Sequence, residues 1–265
     1  MKPKNLKEIN EAFTLQAPSF ETKTYHLSKQ EYLKYAVERT KPNLNDAVLE
    51  VGAGTCALGR TFSPYVQKIV CLDATPAMLE VGKREAEKDG VSNITFLNGF
   101  AEELPFADNA FDIVVSRLAF HHFADVKKSF REMVRVLKWG GKLVLIDMTP
   151  RNESVREEVD RIERLRDPSH IRNLTVTEMR QLYEVNGLKL LMQEQTDIPV
   201  SLDGWMDLTK TPQEIRGKIK ELMEKDMSGE NQTGFLPYRK DDDIFFTHYW
   251  IFNLGIKLSE LSKLM

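Results

Sequence analysis

The sequence predicts a doubly wound α/β sheet, and three observations carry that prediction. Five short apolar runs between residues 47 and 147 alternate with helical stretches, the rhythm of parallel strands joined by right-handed crossovers. The first run, Val48-Leu49-Glu50-Val51, ends in a glycine turn, Gly52-Ala53-Gly54, that leads into a helix. The second, Ile69-Val70-Cys71-Leu72-Asp73, closes on an acid 19 positions after Gly54. In an open α/β sheet the carboxyl edge of the strands is where ligands bind, so these polar strand ends mark a candidate site.

Residues 5 to 40 read as two helical pieces broken around Ala17-Pro18-Ser19. The later piece carries Tyr32, Leu33, Ala36 and Val37 at near-helical spacing, which predicts packing on the sheet. Lys41-Pro42-Asn43 ends it. The first strand is Ala47 to Val51, followed by a helix from about Cys56 to Phe62. Thr75-Pro76 starts the next helix, with proline suited to its first turn, and Asp89-Gly90 stops it. Ile94 to Leu97 is the third strand, and Asn98 to Leu104 an acidic loop; Phe111 to Ser116 is the fourth strand. From Asp125 to Leu137 the residues Val126, Phe130, Met133, Val134 and Leu137 fall on one side of an amphipathic helix. Gly140-Gly141 turns the chain into the fifth strand, Lys142 to Asp147. After Thr149 the rhythm changes. Residues 152 to 166 hold nine ionisable side chains and predict a solvated helix. Thr177 to Asn186 is a helix stopped by Gly187, Leu188 to Met192 a strand, and 201 to 229 mostly helical. Ile244 to Phe252, after Asp241-Asp242-Asp243, is the last strand.

At 265 residues, 42% hydrophobic and 29% charged, the chain has the composition of an ordinary globular protein, one domain with additions. A net charge of -3 and a pI near 6.0 give no global case for a nucleic acid or anionic membrane partner. No apolar stretch approaches the ~18 residues of a membrane span, and Met1 to Asn5 lacks the apolar stretch of a secretory signal. Cys56 and Cys71 form no CxxC or metal spacing, and no histidine, cysteine or carboxylate set has metal-ligand spacing. The expectation is a cytoplasmic protein without a disulfide or a metal, monomeric or homodimeric.

Gly52 and Gly54 suit a turn with positive φ in which backbone approaches a ligand. Gly52-x-Gly54-x-x-Ala57 also satisfies the dinucleotide fingerprint, so the turn alone does not separate NAD from S-adenosylmethionine. Asp73 stands at the distance expected for a carboxylate that accepts both hydroxyls of an adenosine ribose. Its plainer alternative is to cap the helix that starts at Thr75.

Five ordered motifs resemble the class I S-adenosylmethionine-dependent methyltransferases, in the branch with the type 11 methyltransferase domain. They are Val48 to Thr55, Leu72-Asp73-Ala74-Thr75-Pro76-Ala77-Met78-Leu79, Ala101-Glu102-Glu103-Leu104-Pro105-Phe106, Phe111-Asp112-Ile113-Val114-Val115 and Arg135-Val136-Leu137-Lys138-Trp139-Gly140-Gly141. The flanks, Phe13-x-x-Gln16-Ala17 and Asp167-Pro168-Ser169-His170, resemble quinone-methylase-like members more loosely. The resemblance implies a Rossmann-like sheet of seven strands, the last antiparallel, with a helical lid. Residues 1–43 would be an N-terminal lid segment, 44–150 the cofactor-binding core, and 151–265 the completion of the sheet with lid insertions, all one structural domain. It also implies roles. Glu50 would lie near the amino or sulfonium end of the cofactor, Gly52, Ala53 and Gly54 along its methionine part, and Asp73 at the ribose. Ala74 and Met78 would border the adenine, Ala101 and Glu102 would close over its edge, and Ser116 and Arg117 would face the transferred methyl. An acidic cluster agrees with a cationic cofactor. Ala57 replaces a usual third glycine, and Trp139 a usual proline. Phe100 stands where many relatives have an acid that accepts from the adenine amino group; it can stack on the ring or wall it.

Methyl transfer needs a general base only when the nucleophile arrives protonated with a high pKa. His121 and His122, just beyond the fourth strand, are the candidates, with His121 preferred; capping or packing is their plainer role. His170 and Arg172 sit in the insertion that covers the acceptor in such enzymes, and Trp205 and Met206 with Phe13, Phe20 and Tyr25 are candidate walls of an apolar pocket. His26 and His248 read as structural. The sequence thus points to methyl transfer from S-adenosylmethionine, with S-adenosylhomocysteine as coproduct, to a small molecule, an aromatic or quinone-like oxygen or carbon. The alternatives are an NAD(P)-dependent oxidoreductase using the same turn and a non-catalytic S-adenosylmethionine-binding protein.

Overall fold

A computed structural model describes residues 4–21 and 29–259. Parallel strands β1 (Ala47–Val51), β2 (Lys68–Asp73), β3 (Ile94–Asn98), β4 (Phe111–Arg117) and β5 (Leu137–Thr149) lie in the order β3-β2-β1-β4-β5. The sheet continues through β6 (Leu188–Ser201), β7 (Tyr238–Lys240) and β8 (Asp243–Lys257). Strand β8 inserts antiparallel between β5 and β6, so the order ends β5-β8-β6, and β7 pairs β8. The fold is the expected Rossmann-like, mostly parallel sheet with an antiparallel last strand. The direction of winding reverses between β1 and β4, which places the glycine turn after β1 at the topological switch point.

The helices are α1 (Leu6–Gln16), α2 (Gln30–Thr40), α3 (Ala57–Phe62), α4 (Pro76–Lys88), α5 (Val126–Val136), α6 (Arg156–Arg166), α7 (Val176–Val185), α8 (Leu202–Leu208) and α9 (Gln213–Met227). Strand β1 is buried along its whole length because helices cover both faces. Its Leu49 and Val51 meet Phe130 and Met133 of α5 and Tyr183 of α7. Val48 points the other way, toward Leu33 and Val37 of α2 and Phe62 of α3. A third apolar cluster, around Trp205, Phe246 and Trp250, ties α6, α8 and α9 to the extended ends of β6 and β8.

Two departures from the sequence reading have clear causes. The strand predicted for Leu188 to Met192 runs on to Ser201, paired with β8 throughout apart from one bulge between Leu190 and Met192. Its polar stretch, Gln193 to Asp197, masks a strand because β6 is the outer strand of the sheet and half of it faces solvent. The eighth strand is the short β7, and the acids 241–243 form its hairpin turn into β8, with Asp241 at φ 54°. The second departure concerns the charged stretch 151–166, only one side of which is solvated, with Glu157, Arg161 and Arg164 exposed. Helix α6 buries Asp160, Glu163 and Arg166 (5%, 1% and 8% exposed), three residues apart on one side with Val159 and Ile162.

Lys257 is an internal tie. Its ammonium donates to Val134 O (2.7 Å), Leu137 O (2.6 Å) and Asn109 Oδ1 (2.9 Å), satisfying carbonyls at the end of α5. Replacing it with methionine keeps the stem and leaves these acceptors without a donor. The expected cost is about 1.5–3 kcal/mol of stability, the usual loss for a hydrogen bond to a charged group, read as a lower urea midpoint at unchanged m.

Candidate active site

The glycine turn is held by the strand beside it. Gly52 N and Ala53 N donate to Leu72 O (2.9 and 3.0 Å), while Gly54 N donates to Asp73 Oδ2 at 2.8 Å. Asp73 Oδ1 accepts from Thr75 N at 2.8 Å, so the acid clamps the turn and also caps α4. Gly52 sits at φ 68°, and a Cβ there would lie 2.6 Å from the Cβ of Ala119. That glycine is therefore required by the close approach of the loop after β4, a reason the turn sequence alone does not reveal.

Glu50 accepts from Gly59 N (2.9 Å) and Cys71 Sγ (3.5 Å) through one oxygen, and burial pushes its carboxyl up to about 7. Burial also pulls the Arg117 guanidinium down to about 10, against the opposing pull of Glu50 and Asp147. The carboxylates of Asp73 and Glu102 are raised by burial too.

These groups open onto one cleft of about 1280 Å³, its solvent-facing part included, at the carboxyl edge of the sheet. Of the residues expected at the cofactor, Glu50, Gly52, Ala53, Gly54, Asp73, Ala74, Met78, Phe100, Ala101 and Glu102 all line it. Ser116 does not. It is fully buried with an unpartnered Oγ, because strand alternation turns it away from the face on which its neighbour Arg117 reaches the cleft.

Arg117, His121, His122 and Trp205 line the same cleft, as do Phe13 and Phe20. His121 Nδ1 lies 2.6 Å from Asp147 Oδ1, and His121 N donates to Asp147 Oδ2 at 3.2 Å. Burial would lower the His121 pKa, but the charge of Asp147 and its hydrogen bond outweigh it and raise the value. The two adjacent imidazoles, 4.1 Å apart, are driven in opposite directions. Burial and the neighbouring His121 push His122 down to about 3, and its Nδ1 lies 3.1 Å from both the carbonyl and Oγ of Ser169.

His170 and Arg172 lie away from the cleft. His170 is buried, with Nε2 at 2.9 Å from Asp160 Oδ1, and Asp160 also accepts from Asn173 N, which latches the segment to α6. Arg172 points outward and pairs with Glu178. The segment does touch the site through its backbone, since Ile171 N and Arg172 N both donate to His121 O. Met206 is core; Tyr25 and His26 lie outside the described residues. His248, expected to be only structural, lines the cleft and places Nε2 3.2 Å from Glu163 Oε1.

Three charged lining or supporting residues were not singled out from the sequence: Asp147, Glu163 and Arg166. Asp147 carried a usable signal, being an acid at the end of a strand like Asp73. Helix α1 closes over this end of the cleft. Asn5 Nδ2 donates to His122 O (2.9 Å), Phe13 packs edge-on against His122 (4.9 Å), and Gln16 Nε2 donates to Asp167 Oδ2 (3.3 Å). Among the described residues no group of three or more His, Cys, Asp or Glu could hold a metal ion, and no helix is long and apolar enough to cross a membrane.

A doubly wound sheet, a glycine turn at its switch point and an acid clamped beside that turn define an α/β protein built to hold a nucleoside cofactor. Residues 49–145 match the family model described as a methyltransferase domain. The uncharacterized methyltransferase YcgJ of Bacillus subtilis is 40% identical over 173 residues, 65% of this chain and 68% of that protein. The crystal structure of YcgJ superimposes with a TM-score of 0.79 at 33% identity, covering 89% of this chain and all of that one. The ubiquinone/menaquinone biosynthesis C-methyltransferase UbiE of Shewanella oneidensis is 34% identical over 132 residues, 48% of this chain and 53% of its own length. The chain belongs to the methyltransferase-domain family and is a class I S-adenosylmethionine-dependent methyltransferase.

Proposed function

We propose that this enzyme methylates an oxygen or carbon nucleophile of a small aromatic or quinone-like molecule, with His121 as the general base. The observation that carries this reading is the 2.6 Å contact between His121 Nδ1 and Asp147 Oδ1 in the cleft that also contains the glycine turn. The naming of UbiE as a quinone-pathway C-methyltransferase supports the acceptor class.

The residues of the cleft fit the cofactor. Asp73 accepts backbone N–H groups at both oxygens, Gly54 N at Oδ2 and Thr75 N at Oδ1, and keeps lone-pair capacity for a ribose hydroxyl. Met78, Phe100 and Ala101 offer apolar walls to an adenine, with Phe100 in place of a hydrogen-bonding acid and Ala74 and Glu102 beside it. Gly52, Ala53 and Gly54 leave room for a methionine part, and Glu50 supplies an acid for its cationic end. Bound here, S-adenosylmethionine supplies a methyl group on a sulfonium, a carbon already activated for in-line displacement.

The chain's own work is then to position the nucleophile, exclude water and take a proton. Asp147 accepts from His121 Nδ1–H, which fixes the tautomer with its lone pair on Nε2, an atom without a partner among the described residues. That nitrogen takes the acceptor's proton as the oxygen or carbon attacks. The buried cation of Arg117 favours the negative charge that develops on the acceptor. Helix α1 and the segment after α6 close the pocket as lid elements. Two free, buried cysteines, Cys56 and Cys71, fit a reducing cytoplasm.

Calorimetric titration with S-adenosylmethionine and with NAD, followed by methyl-transfer assays over phenols, quinols, amines and thiols, tests the reading. The expected result is binding of S-adenosylmethionine alone and methylated oxygen or carbon products. Transfer confined to amines or thiols would overturn the acceptor class, and binding without any transfer would favour a non-catalytic protein.

A further inference from the structure

We propose that the wall of the cleft around Arg166 is a subsite for an uncharged carbonyl oxygen of the methyl acceptor. This deepens the reading of the cleft as an acceptor pocket and rests on it. Arg166 closes α6, is 8% exposed and lines the cleft. Its guanidinium lies over the ring of Trp205 at 4.5 Å, and its Nη2 donates to Glu163 Oε2 at 3.0 Å. The remaining donors are unused. Nη1 donates to no described residue and is the donor that a cleft ligand can reach, whereas Nε, also without a partner, is shut off from solvent. Buried polar groups in folded proteins are almost always paired, so a guanidinium held rigid on a cleft wall with donors to spare is organised for something that arrives later. The ring below it fixes its plane and Glu163 fixes its rotation.

The charge around Arg166 selects the kind of oxygen. Glu163 on the same helix and Asp167 next in the chain both face it. Burial alone would raise both carboxyls, but Arg166 helps to hold each below the usual carboxylate range. Burial pushes His248, the third titratable neighbour, down toward its neutral form. One guanidinium therefore already faces two carboxylates. An anionic ligand would meet a net negative surround, whereas a neutral carbonyl accepts from the same nitrogen without that repulsion. Apolar wall residues Phe13, Leu118, Met148 and Leu208 suit the hydrocarbon or aryl body that carries it.

Three matched phenols serve as probes: 4-hydroxyacetophenone, with a neutral carbonyl; 4-hydroxybenzoate, with an anion; and 4-isopropylphenol, with neither. Dissociation constants are measured by ligand-observed NMR on the full chain saturated with S-adenosylhomocysteine. The ketone is expected to bind at least about tenfold tighter than either of the others, the low end for a hydrogen bond to a charged group. In Arg166→Met the ketone should fall to the level of 4-isopropylphenol, whose affinity and that of S-adenosylhomocysteine stay unchanged. Glu163→Gln removes one of the two carboxylates and should improve 4-hydroxybenzoate relative to the ketone by about threefold or more. This second variant decides the matter if Arg166→Met does not fold. Tightest binding by 4-hydroxybenzoate in the wild type, equal or absent binding of all three, a ketone preference that survives Arg166→Met, or no response to Glu163→Gln would each overturn the subsite. Failure to bind S-adenosylhomocysteine overturns instead the assignment of the cofactor to this cleft, and the order of the three probes can still be measured on the protein alone.

Discussion

Replacing Asp73 with alanine is expected to weaken S-adenosylmethionine binding about ten- to 150-fold, the equivalent of about 1.5–3 kcal/mol for a hydrogen bond to a charged group. The expectation combines two functions of one carboxylate. Its oxygens accept from Gly54 N and Thr75 N at 2.8 Å, which sets the turn proposed to carry the cofactor. The same oxygens retain lone-pair capacity for a ribose hydroxyl. Asp73→Asn should be nearly as harmful, because its amide turns one acceptor into a donor facing a backbone N–H. Urea unfolding and a cofactor analogue lacking the ribose 2′-hydroxyl separate the two functions. If Asp73 holds the ribose, the analogue binds the wild type more weakly and loses less than the parent cofactor on substitution. Equal losses would mean that Asp73 acts only through the turn, and unchanged affinity in a folded variant would remove it from the site altogether.

The part of the cleft around the glycine turn was legible in the sequence because parallel strands buried on both faces write their ends plainly. An apolar run closes on an acid or a glycine, and the edge of the sheet does the rest. Glu50, Gly54 and Asp73 were found that way, and all line the cleft. The acceptor half was legible only in part. His121, just beyond β4, stands out by residue type, but its partner Asp147 lies on β5, 26 residues later, and their meeting depends on the parallel register of β4 and β5. Helix α6 misled for a related reason. Its charges satisfy one another and two histidines, and a buried network of paired ions has the same composition as a solvated face. His170 and Arg172 were reasonable ligands by type, yet one is consumed by Asp160 and the other by Glu178. Ser116 was lost to strand alternation, a single residue of phase.

The largest effect is expected at His121. Substitution by glutamine, whose amide keeps a donor for Asp147, should lower kcat about 10²- to 10⁴-fold with S-adenosylmethionine affinity unchanged, the range for loss of a positioned general base. Glutamine is preferable to alanine here because alanine would leave the buried Asp147 carboxylate without its partner, and the fold would share in the loss. The pH dependence gives an independent reading. A base must be neutral to act, and the charge of Asp147 raises the His121 pKa above its ordinary value despite burial. Activity should therefore rise with pH through a limb above 6.5, the ordinary histidine value, and level off beyond it. Asp147→Asn removes the charge that raises the pKa and leaves the burial that lowers it. The limb should move to lower pH even as kcat falls, since the imidazole becomes neutral more readily but is a weaker base. A purely structural Asp147 would lower kcat and leave the limb in place. A wild-type profile flat between pH 5 and 9, roughly the span across which a perturbed histidine titrates, would take the base role away from His121. His122 contributes no limb of its own, because its imidazole, pushed down to about 3, stays neutral throughout that range, so a limb points to His121.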